Sequence, residues 1–293
     1  MRGSNFRLIN NGDGSIGVCE EKNESSFFSL KTKTWESDFF KRKFGTIQID
    51  RVDHINSLSD KQVIESLVLL MEFADHDNYE IIEIHIDINN MRLISFLEET
   101  GFRLVDTRIT FVTLIDKDEN ELKPSPVGII EYAVPEDLEE IVNLTNESFI
   151  DNERFFSRFK DERYFTKDET KNYYRAWISN HIQDKDTYFI VMKDKGRIFA
   201  YFFYKRGGVF HGKALYKGIL TAVAPEYRGS NLHLYMQSYL YKEFSEKEFF
   251  LDNTTQLTNI PTMKNHIKSQ KQLNRIELTF FRTLNADFNK LLK

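Results

Sequence analysis

The stretch LTAVAPEYRGSNLH, residues 220–233, decides the fold of this chain. An apolar run ends at Val223, a turn containing Pro225 follows, and Arg228 and Gly229 lead straight into a helical segment. A loop that directs several backbone N–H groups at one point, at a helix N-terminus, can bind an anion such as phosphate. Arg228 adds a charge-assisted donor beside that loop. The spacing leaves a second interpretation open, an ordinary link between strand and helix.

Strands and helices alternate on both sides of this stretch. Runs of β-branched and aromatic residues predict strands over 127–134, 187–192, 197–204, 214–223, 249–254 and 275–283. Apolar residues at helical spacing predict helices opening at Pro135 and over 167–183, 231–244 and 259–269. Two αβ units with an antiparallel hairpin between them predict a mixed central sheet flanked by helices, of the α/β (α+β) class.

The first half of the chain shows a similar alternation. Strands are predicted over 46–49, 80–88 and 105–115, and helices over 61–75 and 90–100. A charged segment, 116–121, is followed by Pro124 and Pro126, and neither helix nor sheet tolerates that proline spacing. The sequence therefore predicts an N-terminal αβ domain over residues 1–125 and a second domain over 126–293.

Composition narrows the class of protein. A length of 293 residues corresponds to about two domains. The net charge is −5, from 40 basic and 45 acidic residues, which argues against a nucleic-acid binder with a basic face. The chain has no run of 18 apolar residues and no apolar signal-peptide core, so we expect no membrane contact and a cytoplasmic location. The single cysteine excludes an intramolecular disulfide and a zinc site of several thiolates.

Three smaller motifs carry less weight. Residues 12–17 spell G-x-G-x-x-G, but the residues that follow lack an apolar helical face, so a turn is predicted rather than a dinucleotide site. His85 and Asp87 share one face of a strand and could bind a metal or carry a proton, but the polar edge of a sheet is the expected role. Cys19 has no adjacent base, and we expect no metal and no enzyme thiol.

Residues 223–229, VAPEYRG, resemble the signature of the GNAT acetyltransferases, in which a strand leads through Arg-Gly-x-Gly-x-Gly/Ala into a helix. The order of elements from 127 to 283 also fits that family. Residues 34–45, 96–107, 157–161 and 174–178 resemble dTDP-fucosamine (dTDP-4-amino-4,6-dideoxygalactose) acetyltransferases, so the resemblance runs from about residue 28 to 284. It implies a GNAT fold with a smaller, GNAT-like N-terminal domain that lacks the motif for CoA.

The resemblance also implies an activity and its site. Acetyl-CoA would acetylate the amine of an amino-sugar nucleotide by direct transfer, in surface polysaccharide synthesis, and relatives imply a homodimer. The CoA pyrophosphate would lie over Arg228, Gly229, Ser230, Asn231, Leu232 and His233. Asn259 would hold the pantetheine arm, and a backbone N–H near Ala222 or Val223 would polarise the thioester carbonyl.

The sequence departs from the family at several positions. Asn231 and His233 replace glycines; asparagine accepts the left-handed conformation, whereas the histidine either clashes or contacts phosphate. His266 stands where the family has its general-acid tyrosine, and an imidazolium can also donate a proton. Its alternative role is a solvent-facing helical histidine. Arg158 and Arg163 could bind the sugar nucleotide's diphosphate or be surface charge, and the aromatic run 199–204 is expected to pack in the core rather than stack on thymine.

Two other functions stay open. A GNAT enzyme could acetylate another small amine, an amino acid or a peptide. A degenerate GNAT fold could bind CoA without turnover, which the substitutions at Asn231, His233 and His266 favour.

Overall fold

A computed structural model describes residues 6–22, 24–119 and 127–284, and these divide into two compact units. Unit 1 holds the residues up to 107 together with those from 276 onward, and unit 2 holds residues 108–275. This division differs from the predicted boundary at residue 125, because two long strands, Arg103–Asp116 and Gln272–Thr283, each contribute residues to both units. The predicted linker falls largely on residues 120–126, which lie outside the described residues.

Among its described residues, unit 1 combines a sheet with four helices. Its strands lie in the order β1–β2–β3–β4–β5–β12, and only the β4–β5 pair is parallel among the pairs described. The strands are β1 (Phe6–Asn10), β2 (Ser15–Glu20), β3 (Phe28–Thr32), β4 (Phe44–Ile49), β5 (Ile81–Asp87) and β12 (Gln272–Thr283). The helices are α1 (Thr34–Phe40), α2 (Val52–Ser57), α3 (Asp60–His76) and α4 (Met91–Glu99).

Helix α3 shows how the sequence sets the core of unit 1. Ser59 and Gln62 form a reciprocal capping box that fixes the start of the helix. Val63, Leu67 and Leu70 follow at helical spacing, and all three are fully buried in the core cluster of this unit. The helix predicted over 61–75 is confirmed, and its cap and its apolar face both favour a helix at this position.

Two expectations for unit 1 have different outcomes. The G-x-G-x-x-G motif is a turn, as predicted: Gly12 and Gly14 have φ of +81° and +83° and connect the antiparallel strands β1 and β2. The expectation that His85 lies at the edge of a sheet is wrong, because β5 pairs with β4 on one side and β12 on the other. The His85 ring instead lies 3.0 Å from the Thr279 hydroxyl and 3.3 Å from the Glu83 carboxylate.

Unit 2 contains the segment that opened the sequence analysis. Its strands lie in the order β7–β8–β9–β10–β11–β6, and β10–β11 is the parallel pair. The strands are β6 (Arg103–Asp116), β7 (Ile129–Tyr132), β8 (Thr187–Asp194), β9 (Arg197–Phe210), β10 (Lys213–Val223) and β11 (Glu248–Gln256). The helices are α5 (Leu138–Thr145), α6 (Lys167–Gln183), α7 (Leu232–Glu243) and α8 (Ile260–Lys268).

The predicted elements of unit 2 are confirmed; most ends shift by at most three residues, and β9 runs six residues beyond its predicted end. Lys195 and Gly196, at φ of 49° and 81°, form the tight turn of the β8–β9 hairpin. The aromatic run 199–204 is at most 3% exposed, so it packs in the core as expected. Within the described part of the chain, no helix combines the length and apolar character needed to span a membrane.

Candidate functional site

Strands β10 and β11 separate at Gly218 and leave an opening in the sheet. Their parallel register runs from Ala214 opposite Phe249 to Gly218 opposite Asn253, and beyond this point each strand pairs only with its outer neighbour. Ile219 is an extra residue in β10, because Gly218 faces Tyr204 and Leu220 faces Phe203, the residue adjacent to Tyr204 in β9. This bulge turns β10 away from β11, and bulges commonly redirect a strand in this manner.

A cavity of about 120 Å³ occupies the opening. Its wall combines aromatic rings from the segment between α5 and α6, from α6 and from β9 with polar groups from β11, α7 and α8. The lining residues are Phe149, Phe155, Tyr174, Phe202, Phe203, Gly218, Ile219, Leu220, Thr221, His233, Asn253, Thr254, Thr255, Gln256, Asn259, Thr262 and His266. Phe149 reaches the cavity from a π-helical turn, Asn146–Ile150, that extends α5. Such turns are often found at functional sites.

The loop between β10 and α7 has the features predicted for an anion cradle. Gly229 and Asn231 have φ of +84° and +60°, so asparagine does adopt the left-handed conformation here. The backbone N–H groups of residues 229–233 donate no hydrogen bond to another group in the described part of the chain, and residues 228–231 are exposed. Arg228 lies beside the loop, where its Nε donates to the Val223 carbonyl at 2.9 Å. The loop can therefore bind an anion through its backbone.

The N–H group expected near Ala222 or Val223 lies beyond the opening. Both residues pair with β9, opposite Tyr201 and Ala200, and neither lines the cavity. The β10 residues that do line it are 218–221, because the strands separate earlier than the sequence suggested. The bulge at Ile219 is a tertiary feature with no signal in the local sequence pattern.

His266 lines the cavity and is 2% exposed, so the solvent-facing alternative is wrong. The His233 ring also turns into the cavity rather than toward the loop, and its centroid lies 5.2 Å from Phe202 and 6.1 Å from His266. Burial, with a smaller contribution from Lys271, lowers the pKa of both imidazoles well below the usual value. Both rings are therefore neutral near pH 7, which argues against the expected imidazolium at His266; a neutral ring can still donate an N–H or accept a proton.

Lys271 is a residue of the site that sequence reasoning missed. It lies between α8 and β12, is 8% exposed, and its Nζ donates to Asn253 Oδ1 at 3.3 Å. The same oxygen accepts a hydrogen bond from the Tyr204 hydroxyl at 2.9 Å, and Gln237 Nε2 donates to that hydroxyl at 2.6 Å. No motif marks Lys271 in the sequence, because only the return of the chain from α8 places it beneath the cavity wall.

The stability of the protein should depend on pH through Lys271. Burial lowers the pKa of this ammonium group to about 7, so between about pH 7 and its ordinary pKa the unfolded chain binds more protons than the folded chain. Stability should then rise with pH in that window, by about 2 kcal/mol from pH 7 to 9. Urea denaturation at the two pH values measures this rise, and Lys271→Met should abolish it. The exposed control Lys268→Met should retain it, and equal pH dependence in both variants would contradict the assignment.

Of the three remaining predicted residues, one lines the cavity and two do not. Asn259 lines the cavity and caps α8, with its Oδ1 accepting from the Thr262 N–H at 3.4 Å. Arg163 is bonded to Asp161, with Nε 2.8 Å from Oδ1, and Arg158 lies over the Phe159 ring at 4.6 Å. Neither arginine lines the cavity, although Phe155 of the same connecting segment does.

Comparisons with known proteins agree on the fold. No protein-family model and no curated protein matches the sequence. Among solved structures, a GCN5-related N-acetyltransferase from Sphaerobacter thermophilus is 14% identical, with a TM-score of 0.54 over 95% of this chain and 83% of that one. A tandem GNAT protein from the clavulanic acid biosynthesis pathway is 11% identical, with a TM-score of 0.57 over 96% and 84%. A conserved protein of unknown function from Staphylococcus epidermidis is 11% identical, with a TM-score of 0.59 over 89% and 93%.

The chain therefore has the GNAT fold, as the sequence predicted. At these identities the likeness establishes architecture and not activity. Within the described residues, no group of three or more histidine, cysteine or acidic side chains is arranged to hold a metal ion.

Proposed function

We propose that unit 2 is an acyltransferase that moves an acetyl group from acetyl-CoA to an amine. The observation that carries this proposal is the opening between β10 and β11, which lies beside an exposed loop with unbonded N–H groups. The GNAT fold of the solved structures supports it. A phosphate group fits the loop of residues 228–233, and a narrow chain fits the cavity between the two strands.

The residues of the opening have separate roles in this proposal. The thioester supplies an activated acyl group whose carbonyl oxygen becomes negatively charged during transfer. The bulged residue Ile219 has no partner opposite it on β9, so we assign its N–H, rather than that of Ala222 or Val223, to that oxygen. Asn259 lies at the rim, where its side chain can bind the amide groups of the pantetheine arm. We assign the proton-transfer step to His266, which lines the cavity.

His266 would act as a neutral imidazole. Its Nδ1 has no hydrogen-bond partner in the described part of the chain, so the ring can present either nitrogen to the cavity. A neutral ring can transfer the proton of its N–H group to the departing thiolate, while its other nitrogen accepts a proton from the attacking amine. His233 is close enough to share that proton through a bound water.

The acceptor we propose is an amino-sugar nucleotide, on the strength of the sequence resemblance. The described residues that line the cavity include no aspartate or glutamate, so no carboxylate base is at hand. A sugar amine is partly neutral near pH 7 and does not demand one. For the diphosphate, Arg158 and Arg163 remain proposed partners, and Arg163 would have to exchange Asp161 for the ligand.

An assay of CoA release tests the proposed function. The enzyme would be given acetyl-CoA with dTDP- and UDP-4-amino sugars, with free amino acids, or with lysine peptides, and the free thiol would be measured. Release with the sugars alone supports the proposal, and release with peptides alone overturns the acceptor class. Binding of acetyl-CoA by calorimetry without release from any acceptor would favour a non-catalytic CoA-binding protein.

Gly229→Val should weaken the binding of acetyl-CoA at least tenfold. A β-branched residue at φ +84° is strained, so the loop must move and its N–H groups no longer converge. Calorimetry measures the affinity, and Gly212→Val is a matched control, because Gly212 has φ +76° and lies in the β9–β10 turn. Equal affinity in the two variants would remove the loop from the proposed site.

A further inference from the structure

The wall of the cavity includes polar groups that lack partners. Asn253 Nδ2, His233 Nδ1 and His266 Nδ1 are inaccessible to solvent, and none has a hydrogen-bond partner in the described part of the chain. Asn253 and His266 are 5% and 2% exposed, and all three residues line the cavity. A buried polar atom without a partner is unfavourable, so three such atoms from residues that line one cavity point to a ligand with complementary groups.

These groups are mainly hydrogen-bond donors. Oδ1 of Asn253 already accepts hydrogen bonds from Tyr204 and Lys271, so the group that this side chain offers to a ligand is its Nδ2 donor. Each neutral imidazole has one N–H to offer. The ligand that would satisfy them must present several acceptor lone pairs in a small volume.

The charges around the cavity also favour an anionic ligand. Lys271 lies directly behind Asn253 and has no carboxylate partner in the described part of the chain. The cavity wall itself, as far as it is described, contains no acidic residue. The charged form of Lys271 is unfavourable without a counter-ion, and an anion bound in front of Asn253 would favour that form.

We propose that the part of the cavity lined by Asn253, His233 and His266 is a subsite for a carboxylate carried by the substrate. The carboxylate would accept hydrogen bonds from Asn253 Nδ2 and from the rings of His233 and His266, and Lys271 would provide the counter-charge through Asn253. Lys271 is thus a positioning residue, since it does not line the cavity.

The carboxylate has two possible sources, and both rest on the proposed acyl transfer. An acyl chain with a terminal carboxylate would bring it together with CoA, which is compatible with an amino-sugar nucleotide as acceptor. An acceptor of the amino-acid type would bring it on the other substrate, which would replace the amino-sugar proposal. The chemistry of the subsite is the same in the two cases.

Two matched pairs of ligands test the subsite in the wild-type protein. Succinyl-CoA and butyryl-CoA have acyl chains of equal length and differ in the terminal carboxylate. N-acetylglycine and N-acetylglycinamide differ in the same manner and require no CoA and no turnover. Calorimetry for the first pair and histidine NMR shifts for the second should show a preference of at least about tenfold for the carboxylate member of one pair, the gain expected from charge-assisted hydrogen bonds.

Lys271→Met should reduce that preference to within about threefold, because the residue keeps the volume of lysine and loses the charge. Lys268→Met, an exposed lysine on α8, should leave the preference unchanged. Equal affinities within both pairs in the wild-type protein would overturn the subsite, as would a preference that survives Lys271→Met. If neither CoA ester binds, the proposed function fails, while the second pair still decides on the subsite.

Discussion

Replacing His266 with alanine should lower kcat for acyl transfer by about 100-fold or more, the usual range for removal of a positioned proton donor. The affinity for acetyl-CoA should stay within about threefold, because the loop of residues 228–233 that would bind the pyrophosphate is unchanged. Steady-state thiol release gives kcat, and calorimetry gives the affinity. The reason is the location of the ring: it lines the cavity and its Nδ1 has no partner among the described residues.

His211→Ala is the control for this experiment. His211 belongs to the same unit, is exposed, and lies in the turn between β9 and β10, away from the cavity wall. Its substitution should leave both constants unchanged. An unchanged kcat in His266→Ala would remove this residue from the proton-transfer step, and the same loss in both variants would indicate a general effect on the fold.

Phe244→Ala should destabilise unit 2 by about 3–5 kcal/mol, the cost of removing a fully packed aromatic ring. Phe244 is 1% exposed and lies at the centre of an aromatic cluster at the end of α7. Its ring stacks on Tyr216 at 3.7 Å, and its centroid lies 5.1 Å from Phe249 and 5.9 Å from Tyr204. Loss of this ring should also loosen Tyr204, whose hydroxyl donates a hydrogen bond to Asn253 at the cavity.

The measurement is chemical denaturation followed by tryptophan fluorescence. The chain has two tryptophans, Trp35 in unit 1 and Trp177 in unit 2, so a Trp35→Phe background reports on unit 2 alone. Phe156→Ala is the matched control, because Phe156 is 40% exposed and should change stability by about 1 kcal/mol or less. Similar losses in the two variants would show that the cluster around Phe244 is not the core of the unit.

The confirmed predictions depend on local chemistry. Residues 220–233 combine the end of a strand, a proline turn and an Arg-Gly pair, and each has a local cause that the structure retains. The turn at Gly12 and Gly14 and the start of α8 at Asn259 are local in the same sense. The strands β1 to β3 were missed, because their short and mixed sequences gain stability only from pairing within a sheet.

The sequence determined the type and order of most elements, the position of the 228–233 loop and the resemblance that names the fold, since these follow from the spacing and chemistry of neighbouring residues. Only the tertiary structure decided where β10 and β11 separate, and that Lys271 lies behind Asn253. It also decided that His266 is buried, that His233 is half-buried with an inaccessible Nδ1, and that both rings are neutral. Burial and the approach of residues distant in the chain set these properties, because desolvation and charge act through space. The boundary between the units was also decided by the tertiary structure, because strands β6 and β12 each contribute residues to both units.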